Sequence, residues 1–69
     1  MKIDLFEPML VDGLTSREVT LTEDFADGLT QRVVATVWIT PDDSGKAMAA
    51  ASKTAAIALL ERALAALRA

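Results

Sequence analysis

The chain has 69 residues, a net charge of −3, and neither cysteine nor histidine. A chain this short forms one domain, spanning residues 1–69, and buries only about 60% of its unfolded surface. Without cysteine there is no disulfide, thiol nucleophile or thiolate metal site. Without histidine, the commonest general base near neutral pH and the commonest metal ligand are also missing. We therefore expect no catalytic residues, no metal site and no cofactor, and so no enzyme.

Neither end of the chain has the pattern of a targeting or membrane segment. The opening MKIDLFEP carries acids early and has no apolar run. The alanine-rich stretch from Ala47 to Leu60 is too short and too weakly hydrophobic to span a bilayer. We expect a cytoplasmic protein that does not bind a membrane.

Two Asp-Gly pairs divide the first 41 residues. Asp12-Gly13-Leu14-Thr15 recurs fifteen residues later as Asp27-Gly28-Leu29-Thr30. Asp-Gly between alternating hydrophobic stretches is the strongest short-range hairpin signal, so the pattern predicts strands at about 2–10, 17–25 and 32–40. Pro8 makes the first an edge strand or ends it early. The expected result is a three-stranded antiparallel meander over residues 1–41, and two favourable turns explain the repeat better than a duplicated binding unit.

A helix is predicted over residues 42–69. Pro41 stops the third strand, and Asp42, Asp43 or Ser44 can cap the helix. Eleven of the 23 residues from Ala47 to Ala69 are alanine, the best helix former. We expect one long helix, or two pieces broken near Ser52, giving a βββα fold of the α+β class. The stripe predicted to cover the sheet comprises Ile57, Leu60, Leu64 and Leu67, broadened by Leu59 and Ala63.

One helix covers only one face of a sheet. If the row Val33, Ala35, Val37 and Ile39 faces the helix, then Val34 and Trp38 point away, because successive side chains of a strand alternate. Phe6 of the first strand would join them. These three residues then form an apolar surface for a partner or a homodimer. In the opposite register, Trp38 would instead lie in the core.

Charge is distributed unevenly along the chain. Residues 1–43 carry nine acidic and three basic side chains, a net charge of −6, while residues 44–69 carry one acidic and four basic, a net charge of +3. An acidic sheet repels phosphates and attracts basic surfaces. The hypothesis is that the acids occupy a basic groove that otherwise holds a nucleic-acid backbone. The alternative is a solvated surface, with Asp42 and Asp43 serving the helix N-terminus.

The meander topology predicts where the acids gather. They form two groups at opposite ends of the sheet, roughly 20–30 Å apart at ~3.3 Å per residue. The partner-binding acids expected from this pattern are Asp12, Asp42 and Asp43 at one end, and Glu23, Asp24 and Asp27 at the other.

The C-terminal half resembles the last strand and helix of double-stranded RNA-binding domains. The likeness rests on the strand Val33–Ile39, the loop glycine Gly45, Ser52-Lys53, and the closing Ala63-Leu64-Ala65-Ala66-Leu67. Thr54 stands where that family has a second lysine, and its first helix has no counterpart. The resemblance implies the topology. It also implies an alternative function, a small nucleic-acid-binding module that uses the basic helix through Lys46 and Lys53.

The whole chain resembles, in type, the small acidic phage proteins that act against bacterial defence, the anti-CRISPR proteins among them. The features are the size, the alanine-rich composition, an opening MKIDLFEP that leads straight into a strand, and the two acidic groups. The resemblance implies a non-catalytic inhibitor that blocks a basic nucleic-acid path of a defence complex in the host cytoplasm. A homo-oligomeric assembly subunit with a Trp38 interface is a further alternative.

Overall fold

The computed structural model describes residues 1–69 and contains one antiparallel sheet and one helix. Strand β3 is central, with β1 and β2 paired along one side and β4 along the other. This is an α+β layout, and the predicted βββα fold is confirmed, with the first strand in two pieces. The elements are β1 (Lys2–Leu5), β2 (Met9–Val11), β3 (Leu14–Ala26), β4 (Leu29–Ile39) and α1 (Gly45–Arg68).

A bulge at Glu7-Pro8 separates β1 from β2. Leu5 pairs with Val19, whereas Met9 pairs with Ser16, so the edge strand has one more residue than β3 in this interval. Pro8 has no amide to donate to the ladder, which is why the break falls there. The Phe6 amide donates to the Glu18 carbonyl at 3.1 Å, and Arg17 Nε donates to the Phe6 carbonyl at 2.9 Å.

Both Asp-Gly pairs form the tight turns expected of them. Asp12 and Gly13 have φ of 50° and 79°, and Asp27 and Gly28 have φ of 49° and 81°. Positive φ at both central residues defines the type I′ turn, whose twist matches that of the flanking strands. The strands consequently run right up to the turns, and β3 is longer than the predicted 17–25.

Replacing Gly28 with alanine is expected to lower the free energy of unfolding by roughly 1–2 kcal/mol, the usual cost of left-handed backbone for a residue with a Cβ. A Cβ at Gly28 would meet nothing within 4 Å, so the loss comes from the φ of 81° alone. Urea unfolding measures it. Gly45→Ala is the control: its site is equally open but lies in α1, where alanine is favoured over glycine. Equal losses in both variants would contradict the turn assignment.

The core lies between α1 and one face of the sheet. Its five buried apolar side chains are Val19, Ala35, Val37, Ile39 and Ala56, and Leu5, Met48, Ala55 and Leu59 pack against them. The predicted orientation of β4 is therefore correct, although Val33, at the far end of its row, is half-exposed.

The helix is continuous through Ser52. Its N-terminus is capped by Ser44, whose Oγ accepts from the Ala47 amide at 3.1 Å. Ser52 is completely buried against the sheet, and its Oγ donates to the Met48 carbonyl at 2.7 Å. The hydroxyl is thus satisfied within the helix, and no second cap forms. No stretch of α1 is long and apolar enough to cross a membrane.

The predicted sheet-covering stripe of α1 is only partly correct: Leu59, expected to broaden it, packs against the core, whereas Ala63 and the four main residues do not. Ile57, Leu64 and Leu67 are exposed, and Leu60 is only half-buried. The helix meets the sheet most closely through the small residues Ser52 and Ala56, which are buried. Beside them, Met48, Ala55 and Leu59 pack against the core. Every residue from Glu61 to Ala69 is exposed, although Arg62 still borders a groove beside Val37 and Trp38 of β4.

Candidate functional site

The sheet face opposite α1 carries no helix, and we call it the open face. Strand alternation and the register of β3 assign its members in rows across the strands. From one end to the other the rows are Asp24-Thr30; Lys2-Thr22-Arg32; Asp4-Thr20-Val34; Phe6-Glu18-Thr36; Met9-Ser16-Trp38; and Val11-Leu14.

An apolar cluster occupies one end of the open face. It consists of Phe6, Met9, Val11, Leu14 and Trp38, all exposed, and we call it the Trp38 patch. Trp38 itself is 53% exposed. The predicted group of Trp38, Val34 and Phe6 does lie on one face, and the alternative that places Trp38 in the core is excluded. Val34, opposite Thr20, is separated from Trp38 on this face of β4 by Thr36.

Sequence reasoning missed Met9, Val11 and Leu14 as members of this surface. In an unbroken first strand, Phe6 and Leu10 would share a face. The bulge at Glu7-Pro8 reverses the alternation, so that Met9 stands beside Ser16 and Trp38 while Leu10 pairs with Thr15. Pro8 was the only signal in the sequence, and it does not reveal how many extra residues the break contains.

The acids predicted at the second turn are not gathered on one face. Asp24 lies on the open face, and Asp27 is in the turn. Glu23 lies on the opposite face, where its Oε1 accepts from Gln31 Nε2 at 2.7 Å. The three carboxylates therefore offer charge to a broad edge rather than to one point.

The acids at the other end have different roles. Asp12 lies in the first turn. The Asp42 carboxylate accepts from the Ser44 amide at 2.8 Å, so it supports the helix cap, as the solvated-surface alternative proposed. Asp43 is exposed beside it. The two turns are roughly 40 Å apart at ~3.3 Å per residue, not 20–30 Å, because β3 has 13 residues.

Two further acids lie near the centre of the open face. Glu18 is exposed in the row that also holds Phe6, and Asp4 lies in the next row. The only ion pair of the chain joins Lys2 Nζ to Asp4 Oδ2 at 3.8 Å, between exposed side chains. The open face thus presents an apolar end, an acidic middle, the basic pair Lys2 and Arg32, and Asp24 at the far edge.

Nowhere in the structure do three acidic side chains lie close enough together to hold a metal ion. No protein-family model matches the chain, and no curated protein and no solved structure is significantly similar to it. The candidate site is therefore characterised by its surface alone, which is an exposed apolar patch on an acidic sheet.

Proposed function

We propose that this chain is a non-catalytic binding protein whose open face docks on a basic protein surface in the cytoplasm and inhibits it. Trp38 and its patch anchor the contact, and the neighbouring acids occupy positions that nucleic-acid phosphates take on the partner. The observation that supports this proposal most is that a half-exposed tryptophan lies among four exposed apolar side chains on a sheet face that no helix covers.

The apolar patch supports a protein partner. Tryptophan is among the residues that contribute most to binding when they are buried at the centre of an interface. Met9 and Phe6 flank it with flexible and aromatic surface, which adapts to a partner pocket. Contiguous exposed apolar surface on a small protein marks an interaction site, whereas single exposed hydrophobic residues do not.

The charges support a basic partner. Glu18 and Asp24 have no cation within salt-bridge distance, since the chain contains a single ion pair. Their field is therefore available to attract positive charge and to raise the rate of encounter. The same field repels phosphates from the sheet.

A second candidate function is nucleic-acid binding through α1. It is favoured by Lys46 and Lys53, which are both exposed and seven residues apart, so they share one side of the helix. Asp42 and Asp43 lie at the end of α1 where Lys46 stands, which weakens attraction for a phosphate backbone there.

The test is a charge reversal with a matched control. The tagged 69-residue chain captures its partner from a bacterial lysate, and binding is then measured with the purified partner. Glu18→Lys with Asp24→Lys is expected to slow association at least tenfold at low salt, because both acids lie on the open face. Glu23→Lys with Asp43→Lys changes the net charge equally but lies off that face, and it should change the rate less than about threefold.

A different pattern of losses would contradict the proposal. If Lys46→Glu with Lys53→Glu abolishes binding while the Glu18 and Asp24 pair leaves it intact, the binding surface is α1. A captured ligand that proves to be nucleic acid would favour the second candidate function. For a protein partner, inhibition is tested directly by measuring whether this protein displaces the nucleic acid that the purified partner binds.

A further inference from the structure

The isolated chain is less compact than a monomer of its size. Its accessible surface is 5296 Å², whereas a compact protein of 7.3 kDa exposes roughly 4,200 Å². Its radius of gyration is 13.6 Å, compared with about 11 Å for a compact domain of this length. The excess of about 1,100 Å² is surface that a folded domain normally covers.

Part of this uncovered apolar surface lies along one side of α1, where Ile57, Leu64 and Leu67 are all exposed. Ile57, Leu60, Leu64 and Leu67 repeat at 3-4-3 spacing and form one stripe, which we call the α1 seam. Leu67 is 84% exposed. The seam borders a groove of about 460 Å³ between helix and sheet, lined by Leu60 and by Met1, Leu21 and Val33. Ile3, paired with Leu21 on the same face, is also exposed.

We infer that the α1 seam binds the α1 seam of a second copy of this chain, giving an antiparallel two-fold dimer. The 3-4-3 spacing is that of the a and d positions of a helix pair. In the antiparallel register, Ile57 packs against Leu67 of the second copy and Leu60 against Leu64, so two copies form four apolar layers. A surface that is complementary to itself is what a two-fold interface requires.

The charges of the free helix end select the antiparallel arrangement. Arg62 and Arg68 lie on this half of α1, with Glu61 as its only acid. A parallel pair would place each Arg68 beside its counterpart. The antiparallel pair separates the two Arg68 positions by roughly 18 Å along the axis, at 1.5 Å per residue, and the two Arg62 positions, which share one height, lie on the side of each helix away from the seam. It also opposes the two helix dipoles.

The size of the uncovered surface fits a second copy. A stable interface buries about 800 Å² per partner, and the excess exposed surface is of this order. The helical residues 61–68 are all exposed in the monomer, whereas most helical stability in proteins comes from packing of an apolar face. A partner helix along the seam supplies that packing and covers the groove. The open face stays free, so this inference does not rest on the proposed function.

The test is sedimentation of the 69-residue chain over a concentration series, with Leu67→Glu as the disrupting variant. Leu67 touches almost nothing in the monomer, so its replacement leaves the monomer fold intact, which circular dichroism verifies. We expect wild type to sediment at twice 7.3 kDa and Leu67→Glu to raise the dimer dissociation constant at least tenfold. Ala65→Glu makes the same charge change off the seam and should leave the dimer unchanged.

A direct proof of register is available because the chain has no cysteine. The double variant Leu60→Cys with Leu64→Cys should form a covalent dimer on oxidation, whereas Ala58→Cys with Arg62→Cys, at the same spacing on another side of α1, should not. The inference is overturned if wild type remains a monomer throughout the series. It is equally overturned if the dimer survives Leu67→Glu but is lost in Trp38→Ala, since the interface would then be the open face.

Discussion

Replacing Val37 with aspartate is expected to unfold the protein, whereas replacing Val34 with aspartate leaves it folded. Val37 is 4% exposed and lies in the five-residue core, while Val34 is 53% exposed on the open face of the same strand. A buried carboxylate without a partner costs several kcal/mol. A domain of this size has a free energy of unfolding of only about 3–10 kcal/mol, so the cost of the buried carboxylate is comparable to the whole of it.

The pair is matched because both changes introduce the same side chain into β4. Val34→Asp loses only the modest strand preference of valine, within about 1 kcal/mol. Far-ultraviolet circular dichroism and urea unfolding of the two variants give the comparison. If Val34→Asp proved the more destabilising, β4 would face the helix with its other side, and the open face would have a different composition.

Replacing Trp38 with alanine is expected to weaken partner binding by at least 30-fold while the melting temperature changes little. Truncating an aromatic anchor at the centre of an interface costs about 2 kcal/mol or more of binding free energy. The same side chain is half-exposed in the free protein, so its removal leaves no cavity in the core. Isothermal titration with the purified partner and thermal unfolding of the free variant measure the two effects.

Val34→Ala is the control for this prediction. Val34 is on the same strand and face, and equally exposed, but lies outside the Trp38 patch. Its truncation should weaken binding less than about threefold, as expected for a residue away from the anchor. Equal effects of the two variants would show that the patch is not the centre of the interface.

The sheet could be predicted because its signals are local. Type I′ turns need positive φ at both central residues, and Asp-Gly supplies this at two places. Once the turns are fixed, alternation along Val33–Ile39 leaves two orientations of β4, and the four apolar residues of the Val33 row favour the one that the structure shows. Neighbouring residues also narrowed the cap to Asp42, Asp43 or Ser44, of which Ser44 is the cap, and they predicted the helix, which is continuous rather than broken near Ser52.

The orientation of the helix could not be predicted, because the sequence contains two apolar surfaces on α1. The seam with the largest side chains, including Leu64 and Leu67, satisfied the usual rule for a buried face. The sheet instead buries Ser52 and Ala56, since small side chains let the helix approach the strands closely, with Met48 and Leu59 packed beside them. The large side chains of α1 that the sheet leaves exposed are the ones from which we infer the dimer interface.

Which side chains of β2 lie on the open face depends on the one extra residue in the bulge between β1 and β2. The bulge places Met9 on the same face as Trp38, and β2, with only three residues, is too short for its own alternation pattern to reveal this. The acids were placed correctly along the chain but not around the sheet. Glu18 and Asp4, near the middle of the open face, are better located for a partner than Asp42, which is engaged at the helix cap.

The most direct measurement uses the fluorescence of Trp38, the only tryptophan of the chain. Acrylamide quenching is recorded for the free protein and for its complex with the purified partner. We predict that acrylamide quenches Trp38 efficiently in the free protein, both as a monomer and as a dimer formed through α1. In the complex with the partner we predict strong protection from quenching. A tryptophan that is already shielded in the free protein, or that stays equally accessible in the complex, would contradict the assignment of the open face as the binding surface.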